Sequence, residues 1–130
     1  MATVTTKLTL SSSDLTSQIL SLSLSKAISA SHTTGLARTK VGQTAVNANA
    51  ALLYTADDYA ATAYVYIKNI DTTSTNYVYV YDDTTSGDPV ILKLAGGEFA
   101  FMPTNADKTL KAYGTNATSV VEFMVFGVDQ

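Results

Sequence analysis

The sequence has no cysteine and no tryptophan, and among its 130 residues it has two prolines and one histidine. Without cysteine there can be no disulfide framework, no thiolate metal ligand and no cysteine nucleophile. The single histidine, His32, has hydroxyl residues beside it and Asp14 as a conceivable acid partner. No nucleophile elbow or orienting motif accompanies it, so we predict no catalytic residue and no enzyme activity.

Charge and long apolar runs are also scarce. Charged residues make up 15% of the chain, against about a quarter in an average domain. The net charge is -3 and the eight Lys and Arg are scattered, so we expect no nucleic-acid partner. The longest apolar runs, 50–54 and 89–92, are too short to cross a bilayer. The first residues lack the apolar stretch of a signal peptide, and we expect a protein made in the cytoplasm with no membrane partner.

Strict alternation of apolar and polar residues is what the chain has instead. Residues 3–10 place Leu8 and Leu10 opposite Lys7 and Thr9, and residues 20–25 alternate leucine with serine. A period of two predicts strands, here with one side packed on a core and a serine side facing water. Similar alternation predicts the strands of the second half, which are 64–68, 77–81, 90–94, 98–101, 109–113 and 119–128.

Two stretches are harder to assign. Residues 26–40 contain Gly35 and predict a strand end, a loop and a new strand at Leu36. Residues 41–63 are rich in alanine, which favours helix, yet 46–54 alternate, and we predict a strand there with a loop at 57–59. Gly96 and Gly97 predict a two-residue hairpin turn between strands.

Eight or nine strands without convincing helices predict an all-β fold, an antiparallel β-sandwich of jelly-roll type. The length fits one domain over residues 1–130. Residues 1–12 would be part of it or form an N-terminal arm that adds as a strand to a neighbouring subunit.

The tyrosines of two consecutive strands lie on the side opposite their valines. If those strands pair, the rings form one outer ladder, which serves either ordinary cross-strand stabilisation or contact with another protein. Tyrosine is enriched in protein interfaces, and we favour contact. The predicted contact residues are Val4, Leu8, Leu10, Tyr64, Tyr66, Tyr77, Tyr79 and Tyr81.

An acidic loop, residues 82–88, offers carboxylates that suit calcium. It lacks the bidentate glutamate and the spacing of an EF-hand loop, so we predict a turn there, with no metal and no cofactor.

The second half also resembles small virion structural proteins of tailed bacteriophages. The elements are a strand that ends at 67–69, the NYVYV strand at 76–80, and an L-x-x-GE-x-x-x-x-P step from Leu94 to Pro103. The resemblance spans residues 60–130. It implies a non-enzymatic capsid decoration (cement) protein, or a neck, tail or baseplate component, that forms a homo-oligomer and contacts other virion proteins such as the major capsid protein. Its location would be the virion, assembled in the host cytoplasm.

A carbohydrate-binding or receptor-binding module is the alternative, because sandwiches with exposed aromatic residues also bind sugars. The usual stacking residue, tryptophan, is absent, which favours the structural role.

Overall fold

The computed structural model describes residues 1–43 and 50–130, which form strands and no helix. Within those ranges, nothing resembles a helix able to span a bilayer. The strands are β1 (Ala2–Ser12), β2 (Leu20–Ala30), β3 (His32–Thr33), β4 (Ala37–Lys40), β5 (Ala51–Tyr54), β6 (Tyr59–Asn69), β7 (Val78–Asp82), β8 (Val90–Leu94), β9 (Phe99–Asn105), β10 (Leu110–Gly114) and β11 (Val120–Asp129).

Strands β3 to β11 form a sandwich, the body of the molecule. One sheet has the order β5-β10-β7-β8, and the other has the order β3-β11-β6-β9 with β4 also paired to β11. The strand pairs are antiparallel, so the predicted all-β antiparallel sandwich is confirmed. The described residues contain eleven strands rather than eight or nine. Part of the excess comes from β3, which has two residues and therefore shows no alternation in the sequence.

Alternate residues of the long strands point between the two sheets and form the core. In β6 and β11 these include Val65, Ile67, Val121 and Val125, each 0% exposed. From the other sheet, valines of β7 and an alanine of β10 meet them. The valine rows of the sequence therefore lie on the inner sides of both sheets, as the alternation predicts.

Strands β6 and β7 follow each other in the chain but belong to different sheets. Asn69, fully buried at the end of β6, stabilises the crossing between them. Its Nδ2 donates to the carbonyl oxygens of Asn76 at 2.8 Å and Leu94 at 3.2 Å. Its Oδ1 accepts from the backbone N–H of Asp71 at 3.1 Å. One amide side chain thus joins three backbone segments.

The predicted hairpin at Gly96 and Gly97 is wrong. Strand β8 lies in the four-stranded sheet and β9 in the other, so the turn crosses between sheets. Gly97 has a φ of +86°, in the left-handed region, whereas a Cβ on Gly96 would clash with the carbonyl oxygen of Thr73. Glycine is required at position 96 because the backbone of the 71–76 turn comes too close for any side chain.

The alanine-rich segment gives a shorter strand than the alternation predicts. β5 covers Ala51–Tyr54, and positions 46–49 of the predicted strand lie outside the described residues. The predicted loop at 57–59 is present as far as Asp58, with Asp57 at a φ of 67°. The side chain of Asp58 accepts from the N–H of Thr55 at 2.8 Å.

Strands β1 and β2 form a separate two-stranded sheet, which we call the arm (residues 1–30). They pair without a register shift from Ala2 opposite Ala30 to Ser12 opposite Leu20. The predicted N-terminal arm of residues 1–12 is therefore one half of a hairpin, and β2 occupies one of the two edges of β1. The other edge of β1 has no partner strand among the described residues.

We expect Asn69→Ala to lower the free energy of unfolding by about 1–3 kcal/mol, because buried carbonyl groups lose their donor. Asn116→Ala is the matched control, since Asn116 caps a surface turn through the N–H of Thr118. Asn116→Ala should lower the free energy of unfolding by less than about 1 kcal/mol. Urea denaturation of both variants measures the difference, and equal losses would contradict the assigned role of Asn69.

Candidate interaction surface

The two sides of the arm differ in chemistry. Residues directly opposite in an antiparallel pair point to the same side, and Leu8 faces Leu24 while Leu10 faces Leu22. We call these four residues the leucine face. The opposite side carries Thr9 and the serines of β2, which pair across the strands in the same way.

The leucine face is exposed. Leu8 and Leu10 are each 47% accessible, Leu22 38% and Leu24 55%. The expectation that the leucine side packs on a core is therefore wrong, because among the described residues β1 and β2 pair with each other and belong to neither sheet of the sandwich. A two-stranded hairpin is marginal in water on its own, and a continuous exposed apolar row marks a site of protein contact.

The arm touches the body only near its base. Ile28 and Ala30 are both 6% exposed and pack against Phe126, which is 3% exposed. Val4, opposite Ile28, also joins this cluster. Val4 and Ile28 lie on the same side of the arm as the leucine face, and the polar pair of Thr6 and Lys26 separates the two apolar groups.

The surface under the arm's base is the outer side of β11, β6 and β9. Three rings stack there: Tyr64 lies 5.6 Å from Phe126 and 6.3 Å from Phe101, measured between centroids. Phe101 is 41% exposed and Phe99, two residues before it, 68%. We call Tyr64, Tyr66, Phe99, Phe101, Met124 and Phe126 the aromatic face.

A polar cluster borders the aromatic face. Tyr66 Oη donates to Glu122 Oε1 at 2.9 Å, and Arg38 Nε lies 3.1 Å from Glu122 Oε2. The hydrogen bonds from Tyr66 and Arg38 lower the pKa of Glu122. Burial is the main cause that raises the pKa of Tyr66, and the contact with Glu122 is the next largest. Tyr66 thus remains a neutral donor, held in place by a carboxylate that is ionised at neutral pH.

The predicted tyrosine ladder does not form, because β6 and β7 do not pair. Tyr64 and Tyr66 lie on the outer side of one sheet, whereas Tyr77, Tyr79 and Tyr81 belong to the outer side of the other. Tyr64, Tyr66, Tyr77 and Tyr79 are half-buried, but Tyr81 is only 1% exposed.

The tyrosines on the four-stranded sheet contact each other and a lysine. Tyr79 stacks on Tyr113 with centroids 5.0 Å apart, and Lys93 Nζ lies 4.0 Å from the centre of the Tyr77 ring. Tyr81 packs edge-on against Tyr113 at 5.7 Å. These contacts are cross-strand stabilisation of the kind weighed from the sequence. Whether the half-buried rings also contact another protein stays a prediction.

Sequence reasoning did not single out Phe99 and Phe101, which the structure shows as exposed apolar residues. Their alternation with Ala100 and Met102, which pack against the core, was visible and placed both rings on one side. What was not visible is that this side belongs to an edge strand beside the base of the arm.

The acidic loop is built by its own side chains and by two lysines. The N–H of Thr84 donates to Asp82 Oδ1 at 2.8 Å, and the hydroxyls of Thr84 and Thr85 also donate to this carboxylate. Lys108 Nζ lies 3.4 Å from Asp82, and Lys111 Nζ lies 2.8 Å from Asp83. The predicted turn is confirmed, with its two leading carboxylates engaged by protein donors. In the ranges 1–43 and 50–130, no three metal-ligating side chains cluster.

His32 lies at the start of the body, beside Asp129 and Tyr59. Its Nδ1 is 3.9 Å from Asp129 Oδ1, and its ring lies 5.0 Å from that of Tyr59. Asp14, the acid partner considered from the sequence, lies in the loop at the other end of the arm.

No family model matches this chain, and no curated protein matches it significantly. A solved structure, described as "Bacillus endospore appendages form a novel family of disulfide-linked pili", has a TM-score of 0.47 and 12% sequence identity. The match covers 98% of this chain and 89% of that one. Similarity this distant carries no argument about function.

The Asp82 site predicts a defined acid sensitivity. Burial alone raises the pKa of Asp82, but the hydrogen bonds from Thr84 and Thr85 and the nearby Lys108 outweigh it and lower the pKa to about 2. A folded-state pKa below the unfolded value of 3.8 means that this stabilisation is complete above pH 4 and is lost as the pH falls towards 2.

We therefore expect Asp82→Asn to lower the free energy of unfolding by about 2 kcal/mol at neutral pH. Between pH 4 and pH 2, the variant should lose less of its free energy of unfolding than the wild type does. Melting curves followed by circular dichroism across this range measure both effects. Asp107→Asn, which changes an exposed carboxylate, is the control. Parallel pH profiles for wild type and Asp82→Asn would contradict the assignment.

Proposed function

We propose that this protein is a non-enzymatic structural subunit that assembles with copies of itself through its arm. The observation that carries the proposal is the exposed leucine face on a hairpin that touches its own body only near the base. Neither the core of the sandwich nor the hydrogen bonds of the arm require those four leucines. They become useful when a second protein surface covers them.

Burial of the leucines supplies part of the free energy for assembly. Complete burial of one leucine side chain contributes about 1.5–3 kcal/mol, and those on the arm are already about half-covered. Four such residues together supply several kcal/mol, less the cost of bringing subunits together. A micromolar dissociation constant corresponds to about -8 kcal/mol, so the leucine face is a major contributor, and a further contact is needed beside it.

A more specific form of the proposal is a capsid decoration protein of a tailed bacteriophage, with a neck, tail or baseplate component as the alternative. Its support is the sequence resemblance of residues 60–130, including the step from Leu94 to Pro103. Subunits that bind an assembled shell and not its separated parts stabilise the shell by mass action. In this form the location is the virion, assembled in the host cytoplasm, and the partners include other virion proteins.

Replacing the leucine face tests the assembly. We expect Leu8→Ser, Leu10→Ser, Leu22→Ser and Leu24→Ser in one chain to convert an oligomer into a monomer, because the apolar area is lost. The melting temperature of the body should change little, since these side chains lie outside the core. Sedimentation velocity over a series of concentrations measures the oligomeric state.

The matched control changes the opposite side of the same hairpin: Thr9→Ala, Ser11→Ala, Ser21→Ala and Ser23→Ala in one chain. It should assemble like the wild type. A wild type that stays monomeric at about 1 mM, where about -4 kcal/mol suffices for association, would refute self-assembly.

Quantitative mass spectrometry of the virions encoded by the same genome tests the more specific form. Many copies per particle are expected of a head decoration protein, and a few copies of a neck or baseplate component. Absence of the protein from purified virions would exclude both.

A further inference from the structure

We infer that the leucine face of one chain packs on the aromatic face of a second copy, and that two copies exchange their arms reciprocally. This inference rests on the proposed function, because it names the partner in that self-assembly. It also assigns a role to Phe99 and Phe101, which are exposed beside the base of the arm.

The first argument is that the two kinds of surface already meet within one chain. At the base of the arm, Ile28 packs on Phe126, with Val4, Tyr64 and Met124 around them. The leucine face lies on the side of the arm that supplies Val4 and Ile28, beyond the polar pair of Thr6 and Lys26. The sheet side that supplies Phe126 and Tyr64 continues across β9 as Phe101 and Phe99. Each surface therefore lies on the same side as one half of an existing apolar contact.

The second argument is that the arm does not return to its own body. Its two strands keep one register along all eleven residue pairs, with no bulge to bend the hairpin back. From Val4 to Leu10 the strand advances about 20 Å at the usual rise per residue. The side chains of Leu8 and Leu24 are still half-exposed, so the outer part of the leucine face lies clear of its own aromatic face.

The third argument comes from charge. The arm contains Lys7, Lys26 and Asp14 as its charged residues, so its net charge is +1. Because the whole chain has a net charge of -3, the body carries -4. Opposite charges draw an arm towards the body of another molecule, whereas two arms repel each other weakly. Contact between arm and body is favoured over contact between two leucine faces.

The fourth argument is the area. The eight residue pairs beyond the base span about 27 Å, and a two-stranded ribbon is about 10 Å wide, so the footprint is on the order of 270 Å². One arm on one body then buries about 540 Å² counted on both partners, well below the roughly 1,000 Å² of a stable interface. Reciprocal exchange doubles this to about 1,080 Å². The area thus favours a two-fold pair, in which each copy gives an arm and receives one.

Engineered cysteines test the contact directly, because the natural chain has none. An affinity-tagged Leu10→Cys chain is mixed with an untagged Phe101→Cys chain and treated with a short bismaleimide. Each molecule carries one cysteine, so every cross-link joins two molecules. Tagged Thr9→Cys, on the opposite side of the arm, is the matched control.

We expect the Leu10–Phe101 species to form at least about tenfold faster than the Thr9–Phe101 species. We also expect Phe99→Ser combined with Phe101→Ser to raise the dissociation constant at least about tenfold, which corresponds to the loss of one modest apolar contact. Tyr77→Ser combined with Tyr79→Ser, on the other sheet, should leave it unchanged.

Two results would overturn the inference while leaving self-assembly intact. One is a predominance of Leu10–Leu10 cross-links, which would mean that the arms pack on each other. The other is normal association of the Phe99 and Phe101 double variant alongside loss of association in the leucine variant. A wild type that shows no association at all would instead refute the proposed function.

Discussion

The structure depends on strand β11, which has apolar residues on both of its sides. Its inner side, with Val121, Phe123 and Val125, packs into the core of the sandwich. Its backbone pairs with β6 at one edge and with β3 and β4 at the other. Its outer side presents Phe126, the residue on which the arm rests. A strand covered on both sides is rigid because neither side can move without losing contacts. The position of the arm relative to the body is therefore set by the strand at the centre of the larger sheet.

The alternation of apolar and polar residues predicts which residues share a side of a strand. That part of the fold could be predicted from the sequence. It does not predict which strands are neighbours, because pairing depends on contacts between distant segments. The five tyrosines illustrate this: each lies opposite its valines as predicted, yet β6 and β7 separate into two sheets and divide the rings between them. The role of Asn69 had no signal either, since a single buried amide between three backbone segments has no period.

The leucine–serine alternation shows a second limit. Period two indicates that a strand has an apolar side, but it does not indicate whether the same molecule covers that side. Here residues 20–25 have the clearest alternation in the chain and an apolar side in contact with solvent. Burial inside a domain and burial between subunits leave the same pattern in a sequence. Among the described residues, β1 and β2 pair with each other, and the leucines on that side stay exposed in the single chain.

The distance in sequence between paired strands also sets the order in which they can pair during synthesis. The arm pairs through contacts between residues as near as Ser12 and Leu20, so both of its strands are available for pairing once residues 1–30 have left the ribosome. The body needs β11, whose residues 120–129 are translated about ninety residues later. Local pairing precedes long-range pairing because its loop-closure entropy is smaller. All residues of the arm are thus synthesised before β11 and its Phe126, although a two-stranded hairpin on its own is only marginally stable. Under the proposed self-assembly, polysomes that translate neighbouring copies would bring unattached arms close to bodies that have just been completed.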